Sequence, residues 1–266
     1  MRPVNVFMMA FLLVMSTGAA FAETPLKVLF IGNSQMQVYD VPRMVESLSQ
    51  SAPADRPRIE SGQALLGGKG LKGYWEAGEG IGTPRAMIAA DKWDYVVIQE
   101  IYCAKEAEFE EYAALFDAWI RKNGSKTILF ATANASQYYS ASLKYPDSLE
   151  KLNDMQIAFG KKRGIPVAAA GYAWMKYLGP NPAEAKILDL YHADKGHPGQ
   201  KGTYIYACLL YACITGGSPA GLTSEFNDAR FCRKAPPNGI VIAKGEAAQM
   251  QKAAWEQYRE STQEKP

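Results

Sequence analysis

Residues 28–34 read VLFIGNS, an apolar strand that ends in Gly32 and the polar pair Asn33 and Ser34. The apolar run is continuous rather than alternating, which is typical of a strand buried on both faces in a parallel sheet. In an open parallel sheet, ligands and catalytic groups collect at the carboxyl ends of the strands. We therefore expect Ser34 to lie at such an end, where a serine could act as a nucleophile if a base is near.

Further apolar runs of strand length alternate with segments of helical periodicity. The predicted strands are residues 27–31, 95–98, 127–131 and 165–170, with a weaker one near 58–61. The predicted helices are residues 41–49, 106–121, 148–163, 199–215 and 244–259, and residues 62–82 and 216–239 are irregular. Strands that alternate with helices predict a doubly wound α/β domain. We expect a central parallel sheet of about five strands, covered by helices on both faces.

Residues 1–22 have the pattern of a signal peptide. Arg2 precedes an apolar run over residues 4–15, and small residues lead to Ala20 and Ala22, which fit a cleavage site. The run is shorter than the ~20 residues that a membrane-spanning helix needs. We expect cleavage to leave residues 23–266 as a single domain, periplasmic or secreted, without stable membrane insertion. An uncleaved membrane anchor is the alternative.

The composition is that of an ordinary globular protein. The chain is 48% hydrophobic and 21% charged, and its formal net charge of +2 gives no reason to expect a nucleic acid partner. Its four cysteines contain no Cys-x-x-Cys pair, so we expect no metal site and no cofactor. Cys232 could form a disulfide with Cys208 or Cys213; free thiols, including Cys103, are an equally weighted alternative.

The chain contains two histidines, either of which could supply the base for a serine nucleophile. His197 follows Asp194 by three residues, a spacing at which the carboxylate can turn back and orient the ring. Tyr191 beside His192 suggests a packing or rim role for that residue, so we prefer His197 as the base. A purely structural role for the histidine is the alternative, since Asp-x-x-His is a common pattern.

Four segments in this order resemble the signature blocks of the SGNH/GDSL hydrolases. Residues 31–34, IGNS, and the pair Asp194 and His197 resemble the first and last blocks. Residues 67–71, GGKGL, resemble the glycine block, and residues 94–100, DYVVIQE, resemble the strand that carries the third block. More narrowly, the chain is similar to a bacterial branch of exported members that have Gly-Asn-Ser in place of Gly-Asp-Ser.

This resemblance implies a flavodoxin-like three-layer α/β/α sandwich and hydrolysis of esters through an acyl-enzyme, without a metal or cofactor. Ser34 would be the nucleophile, His197 the general base and Asp194 its orienter. The backbone N–H groups of Ser34 and Gly68 would form the oxyanion hole. Gln99 stands where most members have an asparagine, and we expect its carboxamide to be the third donor; a purely structural amide is the alternative.

The expected function is that of an exported serine esterase acting on small-molecule or carbohydrate esters. A non-catalytic cell-envelope binding protein on the same fold is the alternative, because a fold does not determine its function. Met36 occupies the position where a Gly-x-Ser-x-Gly elbow needs glycine, which argues against an α/β-hydrolase. A phosphate- or nucleotide-binding role would need a glycine-rich loop directly after the strand. Residues 33–36, NSQM, contain no glycine, which argues against that role. We expect Asn33 to stabilise the turn rather than to act chemically.

Overall fold

The computed structural model of the chain describes residues 24–133, 145–227 and 239–262, with side chains described from residue 152 onward in the second range. The predicted signal peptide and Cys232 lie outside these residues. No helix within the described ranges is long and apolar enough to span a membrane.

The centre of the domain is a parallel sheet of five strands in the order β2-β1-β3-β4-β5. The strands are β1 (Leu26–Gly32), β2 (Ile59–Leu65), β3 (Tyr95–Ile98), β4 (Lys126–Ala131) and β5 (Val167–Ala169). From β1 the chain first adds β2 on one side, and then crosses to the other side to add β3. Ligands bind at such a reversal of strand order, at the carboxyl ends of the strands. The sheet therefore has its switch point between β1 and β3, directly beside Ser34.

Helices cover both faces of the sheet, as predicted. They are α1 (Ser34–Gln37), α2 (Val41–Ser51), α3 (Leu71–Glu76), α4 (Pro84–Ala90), α5 (Glu106–Lys122), α6 (Tyr145–Arg163), α7 (Ala170–Leu178), α8 (Glu184–Leu188), α9 (Gln200–Thr215) and α10 (Lys244–Thr262). A short antiparallel pair, β6 (Glu225–Phe226) and β7 (Ile240–Val241), precedes α10.

The apolar sequence of β1 is explained by two cores, one on each face. Val28 and Phe30 pack with side chains of α2, α7, α9 and α10, whereas Leu29 and Ile31 pack with side chains of α3, α4, α5 and α6. All four side chains are fully buried. Burial of a large aliphatic or aromatic side chain contributes roughly 1.5–3 kcal/mol. The strand that leads to Ser34 is thus anchored from both sides.

Helix α9 holds the histidine segment against the domain. Most of its residues are buried, and it packs mainly against α2 and α10. Near its start, a Cβ on Gly202 would collide with the carbonyl oxygen of Leu190 and with the ring of Trp174. This close approach fixes the position of the turn that contains His197, immediately before the helix.

The clearest differences from the prediction are at β2 and β5. Strand β2 continues to Leu65, and α3 follows within residues 62–82, which were expected to be irregular. The predicted strand over residues 165–170 is shorter, because α7 begins at Ala170. A short apolar run that passes from strand to helix has no break in its hydrophobic pattern, so periodicity alone does not show the boundary.

Candidate active site

The turn after β1 is built around the side chain of Asn33. Its Oδ1 accepts a hydrogen bond from the N–H of Gln35 at 3.1 Å and so caps α1. Its Nδ2 donates to the carbonyl oxygen of Lys69 at 3.0 Å, which links the turn to the glycine segment. Asn33 therefore stabilises the turn, as predicted. Ser34 is the first residue of α1, so its N–H has no acceptor within the helix.

The glycine segment over residues 66–70 is held above the end of β1. The N–H of Leu66 donates to the carbonyl oxygen of Gly32 at 3.1 Å and to the hydroxyl of Tyr74 at 2.7 Å. Gly68 has φ +73°, which side chains other than glycine rarely adopt, although nothing lies within 4 Å of the Cβ that another residue would carry. Backbone conformation, rather than space, thus selects glycine at residue 68.

The histidine segment forms a tight turn. Tyr191 and Pro198 form an antiparallel bridge, and the N–H of His192 donates to the carbonyl oxygen of His197 at 2.9 Å. Lys195 has φ +54°, in the left-handed region, which lets the chain reverse. The turn brings Asp194 back beside the ring of His197.

Asp194 contacts both histidines. Its Oδ2 lies 3.0 Å from Nδ1 of His197, and its Oδ1 accepts from the N–H groups of Gly196 and His197 at 3.0 and 3.1 Å. Partial burial acts to raise the pKa of Asp194, but these hydrogen bonds outweigh it and hold the pKa well below its usual range. The carboxylate is thus charged and oriented to accept from Nδ1 of His197.

The spacing does not single out His197, because Asp189 lies three residues before His192. His192 is in contact with Asp194 as well. Its Nδ1 also lies 3.0 Å from Oδ2 of Asp194, and it accepts from the N–H of Asp194 at 3.3 Å. The ring of His192 packs toward Tyr39, with 6.1 Å between the ring centroids. Of the two histidines, only His197 lines the cavity that the next paragraph describes. The preference for His197 as the base therefore rests on its position at this cavity rather than on its spacing from Asp194.

A cavity of about 320 Å³ opens at the switch point of the sheet. Its lining residues are Asn33, Ser34, Gln35, Gly68, Ile101, Tyr102, Asp194, Gly196 and His197. The volume is at the lower end of the roughly 300–1,000 Å³ usual for small-molecule sites. The structure thus brings together Ser34, Gly68, Asp194 and His197, which the sequence places in three distant segments.

Gln99 is not brought to the cavity lining. Its side chain is fully buried behind the serine turn, where Oε1 accepts from the N–H of Asn33 at 2.9 Å and Nε2 donates to the carbonyl oxygen of Glu100 at 2.7 Å. A Cβ on Gly32 would come within 2.7 Å of that Oε1. This geometry does not support the predicted donor role of Gln99, since its carboxamide is committed to the backbone of the turn.

The contacts of two polar residues at the site were not predicted from the sequence. Gln35 lines the cavity and donates from Nε2 to the carbonyl oxygen of Gly196 at 2.9 Å. Glu100 is buried beside Ile101, and its Oε1 accepts from the N–H groups of Leu71 and Ile101 at 3.1 and 2.6 Å. Burial raises the pKa of Glu100 to about 7, although the two backbone hydrogen bonds act to lower it. Neither contact has a signal in the local sequence.

Of the aromatic residues near the strand ends, one lines the cavity and two others pack within the protein. Tyr102 lines the cavity, whereas Tyr74 is buried and donates to the carbonyl oxygen of Gly32 at 2.5 Å. Burial raises the pKa of Tyr74 to about 12, so its hydroxyl remains a donor. Trp75 packs edge-on against Phe116 with 5.3 Å between the ring centroids. Tyr74 and Trp75 are therefore packing residues rather than parts of a substrate wall.

The described part of the chain contains three free cysteines, Cys103, Cys208 and Cys213. Within the same residues, no group of three or more His, Cys, Asp and Glu side chains is placed to hold a metal ion.

Several solved structures have the same fold. A protein of Slackia heliotrinireducens assigned to the SGNH hydrolases aligns with a TM-score of 0.53 at 18% identity, over 73% of this chain and 100% of that chain. A mutant of an acetyl-xylooligosaccharide esterase from Geobacillus Stearmophilus aligns with 0.52 at 15% identity, over 68% and 90%. A member of the lipolytic G-D-S-L family from Veillonella parvula aligns with 0.50 at 12% identity, over 71% and 97%.

No family model and no curated protein matches the sequence. The similarity therefore shows the fold: the chain has the α/β sandwich of the SGNH/GDSL hydrolases, with a central parallel sheet of five strands flanked by helices. At these identities, the assignment of chemistry depends on the residues of the cavity itself.

Proposed function

We propose that the protein is a serine esterase that hydrolyses small acyl esters through an acyl-enzyme. One observation carries the proposal: a single cavity is lined by Ser34, by His197 with its Nδ1 on Asp194, and by Gly68. A hydroxyl, an imidazole and a carboxylate that orients the imidazole are the groups that nucleophilic acyl transfer needs.

In the first half of the reaction, Oγ of Ser34 attacks the ester carbonyl while Nε2 of His197 accepts the hydroxyl proton. Asp194 keeps the Nδ1 proton on His197 and stabilises the imidazolium. The N–H groups of Ser34 and Gly68 donate to the oxyanion, and each such donor is worth about 3 kcal/mol in the transition state. Collapse of the intermediate expels the alcohol, which takes the proton from His197.

In the second half, His197 takes a proton from water, which attacks the acyl-enzyme, and then returns that proton to Oγ of Ser34. The carboxylic acid leaves and the serine is regenerated. Both halves use the side chains of Ser34, His197 and Asp194, the two backbone N–H groups and one water molecule.

The proposal extends to an exported enzyme, periplasmic or secreted, that acts on carbohydrate or other small O-acyl esters. The signal-peptide pattern of residues 1–22 supports export. The solved structure of an acetyl-xylooligosaccharide esterase with the same fold supports a carbohydrate ester. The modest cavity volume of about 320 Å³ favours a short acyl group over a long one.

A non-catalytic binding protein of the cell envelope is the second candidate. The position of Gln99 favours this second candidate. Its side chain lies behind the serine turn, so only two of the three predicted oxyanion donors, both backbone N–H groups, remain. A hole with one donor fewer is weaker by roughly 10²–10³-fold in turnover.

A fluorophosphonate probe and p-nitrophenyl acetate turnover test the proposal together. We expect mass spectrometry to find the probe on Ser34, and Ser34→Ala to lose both labelling and turnover. Ser61→Ala, which removes a hydroxyl from β2 that bonds Glu46, is the matched control and should retain both. An unlabelled protein, beside an esterase that labels under the same conditions, would support the binding protein instead.

A further inference from the structure

Two neighbouring residues at the end of β3 hold the two backbone segments that flank the cavity. Gln99 accepts from the N–H of Asn33, in the serine turn, and Glu100 accepts from the N–H of Leu71, at the end of the glycine segment. A third bond, from Nδ2 of Asn33 to the carbonyl oxygen of Lys69, joins the two segments directly. We call Gln99 and Glu100 the β3 clamp.

Glu100 acts on α3 from outside the helix. The residue before α3, Gly70, has no side chain to cap it, and Oε1 of Glu100 accepts the first helical N–H, that of Leu71, instead. This bond satisfies one of the backbone donors that the start of a helix leaves without an acceptor in the helix. A Cβ on Gly70 would collide with this same Oε1, so the glycine makes room for the carboxylate. The carboxylate thus fixes where the glycine segment ends.

The cost of burying this carboxylate is only partly offset. Glu100 is 4% exposed, and its Oε2 has no hydrogen-bond partner within the described part of the chain. Charged groups near it are on α5 and α3: Glu108 raises its pKa, and Lys72 pairs with Glu108 at 3.2 Å. An uncompensated buried carboxylate destabilises the fold, whereas its charge-assisted hydrogen bonds to two backbone N–H groups are strong and directional.

We infer that Glu100 is a positioning residue for the oxyanion hole: through the β3 clamp it fixes Gly68 relative to Ser34. The inference rests on the proposed esterase function. Two donors have to converge on one oxygen, and a shift of about 1 Å in such a geometry can cost 10²-fold in rate. Loosening the clamp should therefore slow turnover without greatly weakening binding of the ester.

The test compares four variants in the full-length protein. For Glu100→Ala we expect kcat for p-nitrophenyl acetate to fall about 10- to 100-fold with KM nearly unchanged. Amide hydrogen exchange over residues 66–71 should become about tenfold faster. Glu100→Gln retains an oxygen for both N–H groups and should rescue turnover and protection together. Gly70→Ala introduces a Cβ that displaces the carboxylate, so it should have the same effects as Glu100→Ala. It provides an independent test if Glu100→Ala folds poorly.

Gly73→Ala is the matched control, since the same change on α3 meets only the flexible side chain of Lys69. It should leave kcat and exchange as they are. Unchanged exchange over residues 66–71 in both Glu100→Ala and Gly70→Ala would overturn the inference, as would equal losses in Glu100→Gln and Glu100→Ala. No turnover and no probe labelling in the unmodified protein would instead overturn the proposed function, while the exchange data still decide whether the clamp holds the segment.

Discussion

The Nε2 of Gln35 donates a hydrogen bond to the carbonyl oxygen of Gly196 at 2.9 Å, although the two residues are 161 positions apart in the chain. Gln35 follows the candidate nucleophile and Gly196 precedes the candidate base. Gln35 is 5% exposed, and the bond is partly buried at the edge of the cavity. This bond therefore joins the helix of the serine directly to the turn of the histidine.

Loss of this bond should lower turnover more than it lowers stability. We expect Gln35→Ala to reduce kcat for p-nitrophenyl acetate about tenfold, because the Ser34–His197 geometry becomes looser. Gln37→Ala removes the same carboxamide from an exposed position on α1 and is the control. Steady-state kinetics on both variants check this, and equal kcat values would show that the bond does not position the base.

The two histidines should differ sharply. His197→Ala should reduce kcat by about 10³-fold or more, because the base for Ser34 is lost. His192→Ala should retain most of the activity, since His192 does not line the cavity despite its contact with Asp194. Ester turnover by the two purified variants is the measurement. Similar losses in both would contradict the assignment of His197 as the base.

Asp194→Asn should reduce kcat by about 10²–10⁴-fold while the protein remains folded, because an amide can stabilise the wrong imidazole tautomer. The folded pKa of Asp194 is depressed, so its contribution to stability is present above the unfolded pKa and is lost as the pH falls through the folded one. Circular dichroism should accordingly show that acid destabilises the wild type more than Asp194→Asn. An Asp194→Asn variant with full activity would remove Asp194 from the proposed triad.

Glu100 makes an opposite prediction for stability. Its folded pKa of about 7 exceeds the unfolded value of 4.5, so the folded state binds the proton more tightly and loses stability as the pH rises through this interval. Glu100→Gln removes this loss. Between pH 5 and pH 8, the variant should gain about 2 kcal/mol relative to the wild type, since each pKa unit corresponds to about 1.4 kcal/mol. Urea unfolding at both pH values, with Glu106→Gln as an exposed control, measures the difference.

Gly32 should not tolerate a side chain. A Cβ there would lie 2.7 Å from Oε1 of Gln99 and 2.9 Å from the sulfur of Met36, both in packed positions. We expect Gly32→Ala to destabilise the protein by about 1–3 kcal/mol in chemical unfolding. Gly80→Ala, on an exposed turn with nothing within 4 Å, should be nearly neutral. Equal stabilities would mean that the serine turn can move away from Gln99 at little cost.

The sequence predicts β1, β3 and β4 well because these strands are buried on both faces, as Leu29 and Phe30 of β1 show with their separate cores. The edge strand β2 is mostly half-buried or exposed, and its apolar signal is weaker. The locations of Ser34 and His197 could be predicted because Ser34 follows a clear strand and His197 precedes a clear helix. The orientation of Gln99 could not be, since it depends on the register that pairs Ile31 with Ile98 across two strands. The contacts of Glu100 and Gln35, and the contact of His192 with Asp194, could not be predicted either. They form only when the loops fold against one another.

The order of the site's parts along the chain has a consequence for synthesis. Ser34 emerges from the ribosome early, whereas the turn of His197 is positioned by α9, which is made far later. A nascent chain, or a fragment that ends before α9, contains the serine without its base. Under the proposed function, ester turnover at Ser34 therefore requires synthesis of the chain through the end of α9 at Thr215, and a shorter nascent chain is inert toward esters.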